Sequence, residues 1–334
     1  MWGQRKDVAL SVAITSFLML ITFALLNPLT RPAPEIIEAG CPEIANTTTT
    51  TTTTTTTEAP VVERFGPTNV KEILPAFRNF QSQIRFADRY GLATCVIPKT
   101  MSTVMANVMC YLYDPQGFGK NNRSVIHDGF WTRFCEGLNE GNNISRIYSV
   151  HTSIDWQWFV VVRDPLDRFV SNYVDKCMLE RRKTGALCYG CDDERDVECV
   201  LKNIEERGFR WAEKGDVFPD FFDAHLFPQN WQCDFGSFIN KYEIIHFSPP
   251  KSPGYAAMLT QIMDIFRRKS VPPATLNLIT EALNGTTTKH STNDKPERAE
   301  IKEMIGRNTR LMRRIVNLYY FDYRLFGYPM PEGL

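Results

Sequence analysis

The chain begins with a polar septet and then turns apolar, with nineteen uncharged residues from Val8 to Leu26. At about 1.5 Å rise per residue such a run spans roughly 28 Å, close to the hydrocarbon thickness of a bilayer. It predicts a transmembrane signal anchor over 8–26 and a cytoplasmic tail over 1–7, because Arg5 and Lys6 lie on its short side. A cleaved signal peptide fits less well, since the run exceeds a usual h-region and no Ala-x-Ala-like site follows Leu26. Residues 27–64 bring Pro28, Pro32, Pro34 and eleven consecutive threonines, Thr47–Thr57, a pattern that buries no core and predicts a stem. From 65 to 334 the chain reads as one globular domain.

Within that domain Leu92–Ile97 reads as a short buried strand and Met101–Tyr113 as a helix. Trp158–Val162 is a second continuous apolar strand, and Leu166–Leu179 follows as an amphipathic helix. Strand, loop and helix twice over predict an α/β domain with a mainly parallel central sheet. Glu297–Tyr320 carries Ile301, Ile305, Leu311, Ile315 and Leu318 at helical spacing and predicts one packing helix.

Charge adds a restriction. The 38 Lys+Arg and 38 Asp+Glu cancel, which argues against a dedicated nucleic-acid binder and leaves room for a local basic patch. Arg181-Arg182-Lys183, Arg267-Arg268-Lys269 and the helical set Arg307, Arg310, Arg314 are the candidate patches. The 9 cysteines point to disulfides in an oxidising compartment, with at least one left over. Cys188-x-x-Cys191 between Cys177 and Cys199 could also be a zinc site, but its acidic neighbours favour a disulfide-pinned insertion. Four Asn-x-Ser/Thr sequons, at Asn46, Asn122, Asn143 and Asn284, suit a lumenal chain.

Two loops carry the candidate chemistry. Pro98-Lys99-Thr100-Met101-Ser102-Thr103, running into Val104, joins the first strand to its helix. A helix start offers unpaired N–H groups and a positive dipole end, and Lys99 adds a cation beside the hydroxyls. Arg163-Asp164-Pro165-Leu166-Asp167-Arg168-Phe169-Val170-Ser171 follows the second strand, with Asp164 as helix cap and Pro165 at the first helical position. Arg163 then lies at the carboxyl end of a strand, where open α/β sheets bind ligands. Two anion-binding loops suit a ligand with two separated phosphate groups.

Together these loops resemble those of the membrane-bound carbohydrate sulfotransferases, in particular the chondroitin 4-O and natural-killer-epitope branch. The likeness extends through His225-Leu-Phe-Pro228…Cys233 and Tyr242-Glu243 to Tyr320–Tyr328, and Cys95 precedes the first loop as a family cysteine often does. It implies a P-loop-like, three-layer sulfotransferase fold and 3′-phosphoadenosine 5′-phosphosulfate (PAPS) as sulfuryl donor, with no metal. The implied roles put the 5′-phosphosulfate on the first loop, with Lys99 neutralising the leaving oxygen, and the 3′-phosphate on Arg163 and Ser171 of the second. The implied acceptor is an acidic glycan or proteoglycan, best matched by the 4-hydroxyl of chondroitin N-acetylgalactosamine. The implied location is the Golgi membrane, with type II topology and a lumenal catalytic domain. Met101 departs from the small residue often found at its position. For the general base the candidates are His151 and His225, while His127, His246 and His290 have no motif support. A type II Golgi glycosyltransferase and a non-catalytic glycan-binding ectodomain are the alternatives, the first weakened by the lack of an Asp-x-Asp motif.

Overall fold

The structure, a computed structural model, describes residues 70–215, 220–284 and 291–332. The expected tail, anchor and stem lie outside the described residues, as do Cys41 and His290. Among the described residues no helix is long and apolar enough to cross a membrane.

Five strands form one sheet: β1 (Ile84–Ala87), β2 (Leu92–Cys95), β3 (Glu140–Gly141), β4 (Gln157–Val162) and β5 (Tyr242–His246), in the order β3-β1-β2-β4-β5. β2, β4 and β5 are parallel neighbours, whereas β1 is antiparallel to both β2 and β3. The sheet is therefore mixed, which corrects the expectation of a mainly parallel one. The cause is the β1–β2 connection, a single 3₁₀ turn over Asp88–Tyr90 closed by Gly91. A parallel crossover needs a dozen or more residues, so this link can only make a hairpin. At Gly91, φ is +60° and a Cβ would sit 2.5 Å from the Asp155 carbonyl oxygen, so a side chain is excluded there.

The helices that matter below are α1 (Ser102–Tyr113), α2 (Ile144–Val150), α3 (Pro165–Asn172), α4 (Val197–Lys214), α5 (Phe221–Leu226), α6 (Tyr255–Arg268), α7 (Pro273–Asn284), α8 (Pro296–Arg307) and α9 (Thr309–Leu325). Strand alternation assigns them to faces. Leu92, Phe159, Val161 and Ile245 pack with Val104 and Val108 of α1, Ile262 of α6 and Ile279 of α7. Ala93, Cys95, Trp158, Val160 and Val162 point the other way, toward Ile144 and Ile147 of α2, Phe235 and Phe326. Helices thus cover both faces, giving three layers. Phe159, Val160, Val161 and Val162 are all essentially inaccessible. Each such side chain contributes about 1.5–3 kcal/mol, so the strand that ends at Arg163 is firmly anchored.

Two helical expectations change. The helix expected over 297–320 is two, broken at Asn308, whose Oδ1 accepts from the backbone N–H groups of Arg310 and Leu311 at 3.1 and 3.2 Å. Asparagine is a strong N-cap, and that capping geometry replaces a continuous helix. The helix expected over 166–179 begins as α3 but passes directly into a π-helix, Tyr173–Glu180, and ends in an α-turn, Arg181–Thr184.

Candidate active site

The first loop follows β2 and bends sharply. Lys99 and Met101 both have left-handed φ values, +68° and +70°, though neither is glycine. Such residues cost on the order of 1–3 kcal/mol each and persist only where the surroundings hold them. Thr100 is buried between them and ties the turn, its Oγ1 donating to the Ile97 carbonyl at 2.8 Å. Met101 occupies the N-cap of α1 and provides no capping side chain. The N–H groups of the first turn, at Ser102, Thr103 and Val104, are therefore left for an anion.

The second loop follows β4. Asp164 caps α3 by accepting the Asp167 N–H at 2.8 Å, and Pro165 fills the first helical position. Arg163 is buried. Its backbone N–H donates to Gln229 Oε1 at 2.9 Å, its Nη1 donates to the Lys99 carbonyl at 3.0 Å, and its guanidinium lies 4.6 Å over the Phe247 ring. Its Nε and Nη2 have no hydrogen-bond partner among the described residues. Burial, with Arg298 nearby, pushes this guanidinium down to about 9, so the position favours an incoming anion. Ser171 Oγ lies 3.0 Å from Thr292 Oγ1, both residues being buried.

These loops open on one cleft of about 770 Å³. Pro98, Lys99, Met101, Ser102, Thr103, Val104, Arg163, Ser171 and His225 line it. The remaining loop residues are scaffold. Phe169 and Val170 belong to the core, Pro165 is buried and Leu166 packs against the same cluster. Asp167 pairs with Lys302 at 2.8 Å and Arg298 at 3.1 Å. Arg168, expected among the donor-binding residues, faces inward instead: it donates to the carbonyls of Pro98 (3.1 Å), Phe227 (2.9 Å) and His225 (2.8 Å). It fastens the two loops to each other and to the segment before Pro228.

Lys99 Nζ lies 2.5 Å from Asp175 Oδ2. Burial lowers its ammonium to about 8, with Asp175 acting in the opposite direction. Of the two candidate bases only His225 is at the cleft. Its Nδ1 lies 2.8 Å from the Phe221 carbonyl, which must accept, so Nδ1 carries the proton and Nε2 has the lone pair. Burial, reinforced by Lys176 and Lys99, pushes this imidazole down to about 3, which keeps it neutral. His151 is corrected out of the site. It ends α2 at the amino end of β4, packed on Phe86 and Trp156 with ring centroids 5.7 and 5.8 Å away, whereas Arg163 follows the carboxyl end of that strand. His246 is bonded to the Phe326 carbonyl at 2.7 Å, and His127 is exposed.

Several residues that shape the site were given no role from the sequence, although Gln229 and Asp322 lie in the segments that carry the family likeness. Asp322 is fully buried and accepts from the N–H groups of Gln229 and Asn230 at 2.7 and 2.8 Å. Gln229 in turn brackets the backbone of Arg163, its Nε2 donating to the Arg163 carbonyl at 2.8 Å. The terminal helix thereby positions the second loop through partners 66 and 93 residues apart in sequence. Cys95–Cys233 fixes the same segment beside the first loop, and Cys110–Cys135, Cys177–Cys188 and Cys191–Cys199 complete the described disulfides. The Cys188-x-x-Cys191 pair is thus in disulfides, the reading preferred over zinc.

The basic clusters are largely internal. Arg181 donates to backbone carbonyls of the cysteine-rich insertion, and Arg182 pairs with Glu194 and Glu297. Arg267, Arg268 and Lys269 pair with Asp264, Glu243 and Asp155. Arg307, Arg310 and Arg314 pair with Glu303, Glu198 and Glu205. From these clusters only Lys183 lines the cleft, where Lys176 and Lys295 join it.

Residues 82–329 match the model of the sulfotransferase family. The chain belongs to that family. Two Caenorhabditis elegans proteins are similar over most of their length. Carbohydrate sulfotransferase chst-1 is 31% identical over 267 residues, 77% of this chain and 79% of its own. The protein C18B2.2 is 31% identical over 271 residues, 79% of this chain and 74% of its own. No solved structure gives a significant match. The cleft of this sulfotransferase gathers cation, hydroxyl and helix-terminus donors, the groups an anionic sulfuryl donor would require.

Proposed function

We propose that this sulfotransferase moves a sulfuryl group from PAPS to a hydroxyl of an acidic glycan. The observation that carries the reading is Arg163, a buried guanidinium whose Nε and Nη2 lack protein partners beside the Ser171–Thr292 hydroxyl pair. That is a seat for one phosphate, and the uncapped start of α1 with Lys99 is a second seat in the same cleft. Two separated phosphate seats fit the 3′- and 5′-groups of PAPS. The name of the relative chst-1 supports a carbohydrate acceptor. The loop resemblance supports chondroitin N-acetylgalactosamine, at its 4-hydroxyl, as the first acceptor to try.

When bound, PAPS supplies an activated sulfuryl group; the chain positions it and handles charge and proton. Arg163, Ser171 and Thr292 would hold the 3′-phosphate, and Ser102, Thr103 and the first N–H groups of α1 the 5′-phosphate. The Lys99 ammonium is placed to meet negative charge on a leaving phosphate oxygen. His225 Nε2 would take the proton of an acceptor hydroxyl once an anionic donor, offsetting Lys99 and Lys176, raises the basicity that burial depresses. Lys176, Lys183 and Lys295 give the cleft a positive lining for an acidic acceptor. The cellular setting we propose is the Golgi lumen, with the chain anchored by 8–26 in type II orientation.

Radiolabelled PAPS incubated with the enzyme and a panel of chondroitin, heparan and N-glycan acceptors should label glycan, chondroitin foremost. Lys99→Ala should lower transfer by orders of magnitude. His225→Ala should lower it about 10²–10⁴-fold, the usual range for a general base, while His151→Ala should leave it near normal. Binding of nucleotide sugars but not of adenosine 3′,5′-bisphosphate would overturn the donor assignment, and folded enzyme inert on every acceptor would overturn the reaction.

A further inference from the structure

The helix that begins at Pro165 passes without a break from α3 into the π-helix Tyr173–Glu180 and on to Thr184. Ser171, Asp175, Leu179 and Lys183, each four residues after the last, all line the cleft. In a pure α-helix, residues four apart drift by about 40° per step, because a turn takes about 3.6 residues. Over three steps that drift would swing one end of the row out of the cleft. The i→i+5 bonding of a π-helix takes more residues per turn and cancels the drift. The winding thus keeps Leu179 and Lys183 in the row that begins with Ser171 and Asp175. π-Helical turns are rare and occur frequently at functional sites.

Asp175 is buried, and its Oδ2 lies 2.5 Å from Lys99 Nζ and 3.3 Å from Lys176 Nζ. Lys176 is also held by Glu180 at 2.6 Å and lies 5.0 Å over the Phe221 ring. The cations Arg163 and Lys176 both disfavour a charged Lys99, and Asp175 opposes them. His225 also faces Lys99, whose charge helps to hold the imidazole neutral. The Lys99 backbone, meanwhile, is fixed, its carbonyl accepting from Arg163 Nη1. Only the side chain can change partners.

We propose that Asp175 is a positioning residue for the sulfuryl-transfer reaction: it holds the Lys99 ammonium in the cleft until a donor oxyanion takes over as its partner. No covalent step is involved; one ion pair is exchanged for another. This inference rests on the donor reading above. Its consequence is that Lys99 stays charged at neutral pH in a site whose burial and neighbouring cations act against that charge.

The test uses the full chain and two independent readouts. The first is the pH dependence of Lys99 acylation by acetic anhydride, followed by peptide mass spectrometry, which needs no catalysis. Asp175→Asn should move the Lys99 titration at least about one pH unit lower, the scale of losing a close opposite charge, and Asp175→Glu should stay near wild type. The second is the profile of kcat/KM for PAPS against pH. Asp175→Asn should bring its basic limb down by a similar amount, and Lys99→Arg should erase the difference, because guanidinium stays charged. An Asn variant with unchanged Lys99 titration overturns the proposal, as does a uniform loss of activity at every pH. If the wild type transfers no sulfate at all, the donor reading fails on its own, while the acylation profile still reports on the Asp175–Lys99 coupling. Asp175→Glu keeps the test decisive should the Asn variant not fold.

Discussion

Arg163 and Arg168 sit five positions apart in one loop and are both buried, yet their guanidinium groups have opposite surroundings. Arg168 donates to three backbone carbonyls, whereas Arg163 has two nitrogens without a protein partner among the described residues. The difference predicts different failures on substitution. Arg163→Ala should leave the melting temperature close to wild type while weakening adenosine 3′,5′-bisphosphate binding by at least about 100-fold, since charged hydrogen bonds contribute about 1.5–3 kcal/mol each. Arg163→Lys should recover only part of that affinity, because a single ammonium does not replace the fork of donors. Arg168→Ala should act mainly on stability, taking the donors from the Pro98 and Phe227 carbonyls while Asn172 still donates to that of His225, and should lower the melting temperature by several degrees. Calorimetry and thermal denaturation on the same three variants separate the outcomes. Equal loss of stability in Arg163→Ala and Arg168→Ala would contradict the division.

The elements beside these loops show what local pattern reveals and what it misses. The strands 92–97 and 158–162 and the helix from 101 are legible because continuous apolar runs and helical periodicity are local properties. The antiparallel β1 is not, because its Ile84-Arg-Phe-Ala sequence has no distinct period and its place follows from the short Asp88–Gly91 connection. The break at Asn308 was masked by apolar residues that keep helical spacing on both sides of it. Donor-loop residues could be named from type and position, while Gln229, Thr292 and Asp175 could not, since each acts through a partner 66 to 121 residues away. The Asp322–Gln229–Arg163 chain is the sharpest instance, adding a hydrogen-bonded link from α9 to the second loop beside the packing of Phe169 on Tyr319. Burial raises the Asp322 carboxyl above its ordinary range, yet Gln229 and both nitrogens of Asn230 donate to it. Gln229→Ala removes the link and spares the buried acid its loss of charge. It should raise KM for PAPS several-fold or more with little change in the apparent affinity for the acceptor, read by varying each substrate in turn. A rise confined to the acceptor would place Gln229 outside the donor half of the cleft.

At the scale of the molecule, the balance of 38 basic and 38 acidic residues goes with extensive pairing between them. The arginine clusters that suggested an acceptor rim are matched by acids from other elements, and the cations that reach the cleft are mostly lysines, of which Lys99 and Lys176 pair with Asp175. Two features of the folded domain bear on the lumenal setting proposed for it. Four disulfides suit an oxidising lumen, and of the four sequons the three within the described residues, at Asn122, Asn143 and Asn284, all have exposed asparagines. Asn143 is also the N-cap of α2, its Oδ1 accepting the Arg146 N–H at 2.9 Å. A glycan attaches through Nδ2, so the cap and the modification use different atoms and can coexist. Full-length chain expressed in a secretory cell line should therefore carry N-glycans on all three asparagines, giving a mobility shift on peptide-N-glycosidase treatment that disappears in the triple Asn→Gln variant. Replacing Asn143 alone by Gln should also cost about 1 kcal/mol at the start of α2, because glutamine is a poorer cap. Replacing Asn122 alone should also cost some stability, because its φ of +50° is a left-handed conformation that asparagine tolerates better than glutamine. A chain that stays wholly unmodified under these conditions would withdraw the lumenal assignment, whatever its activity on glycans in solution.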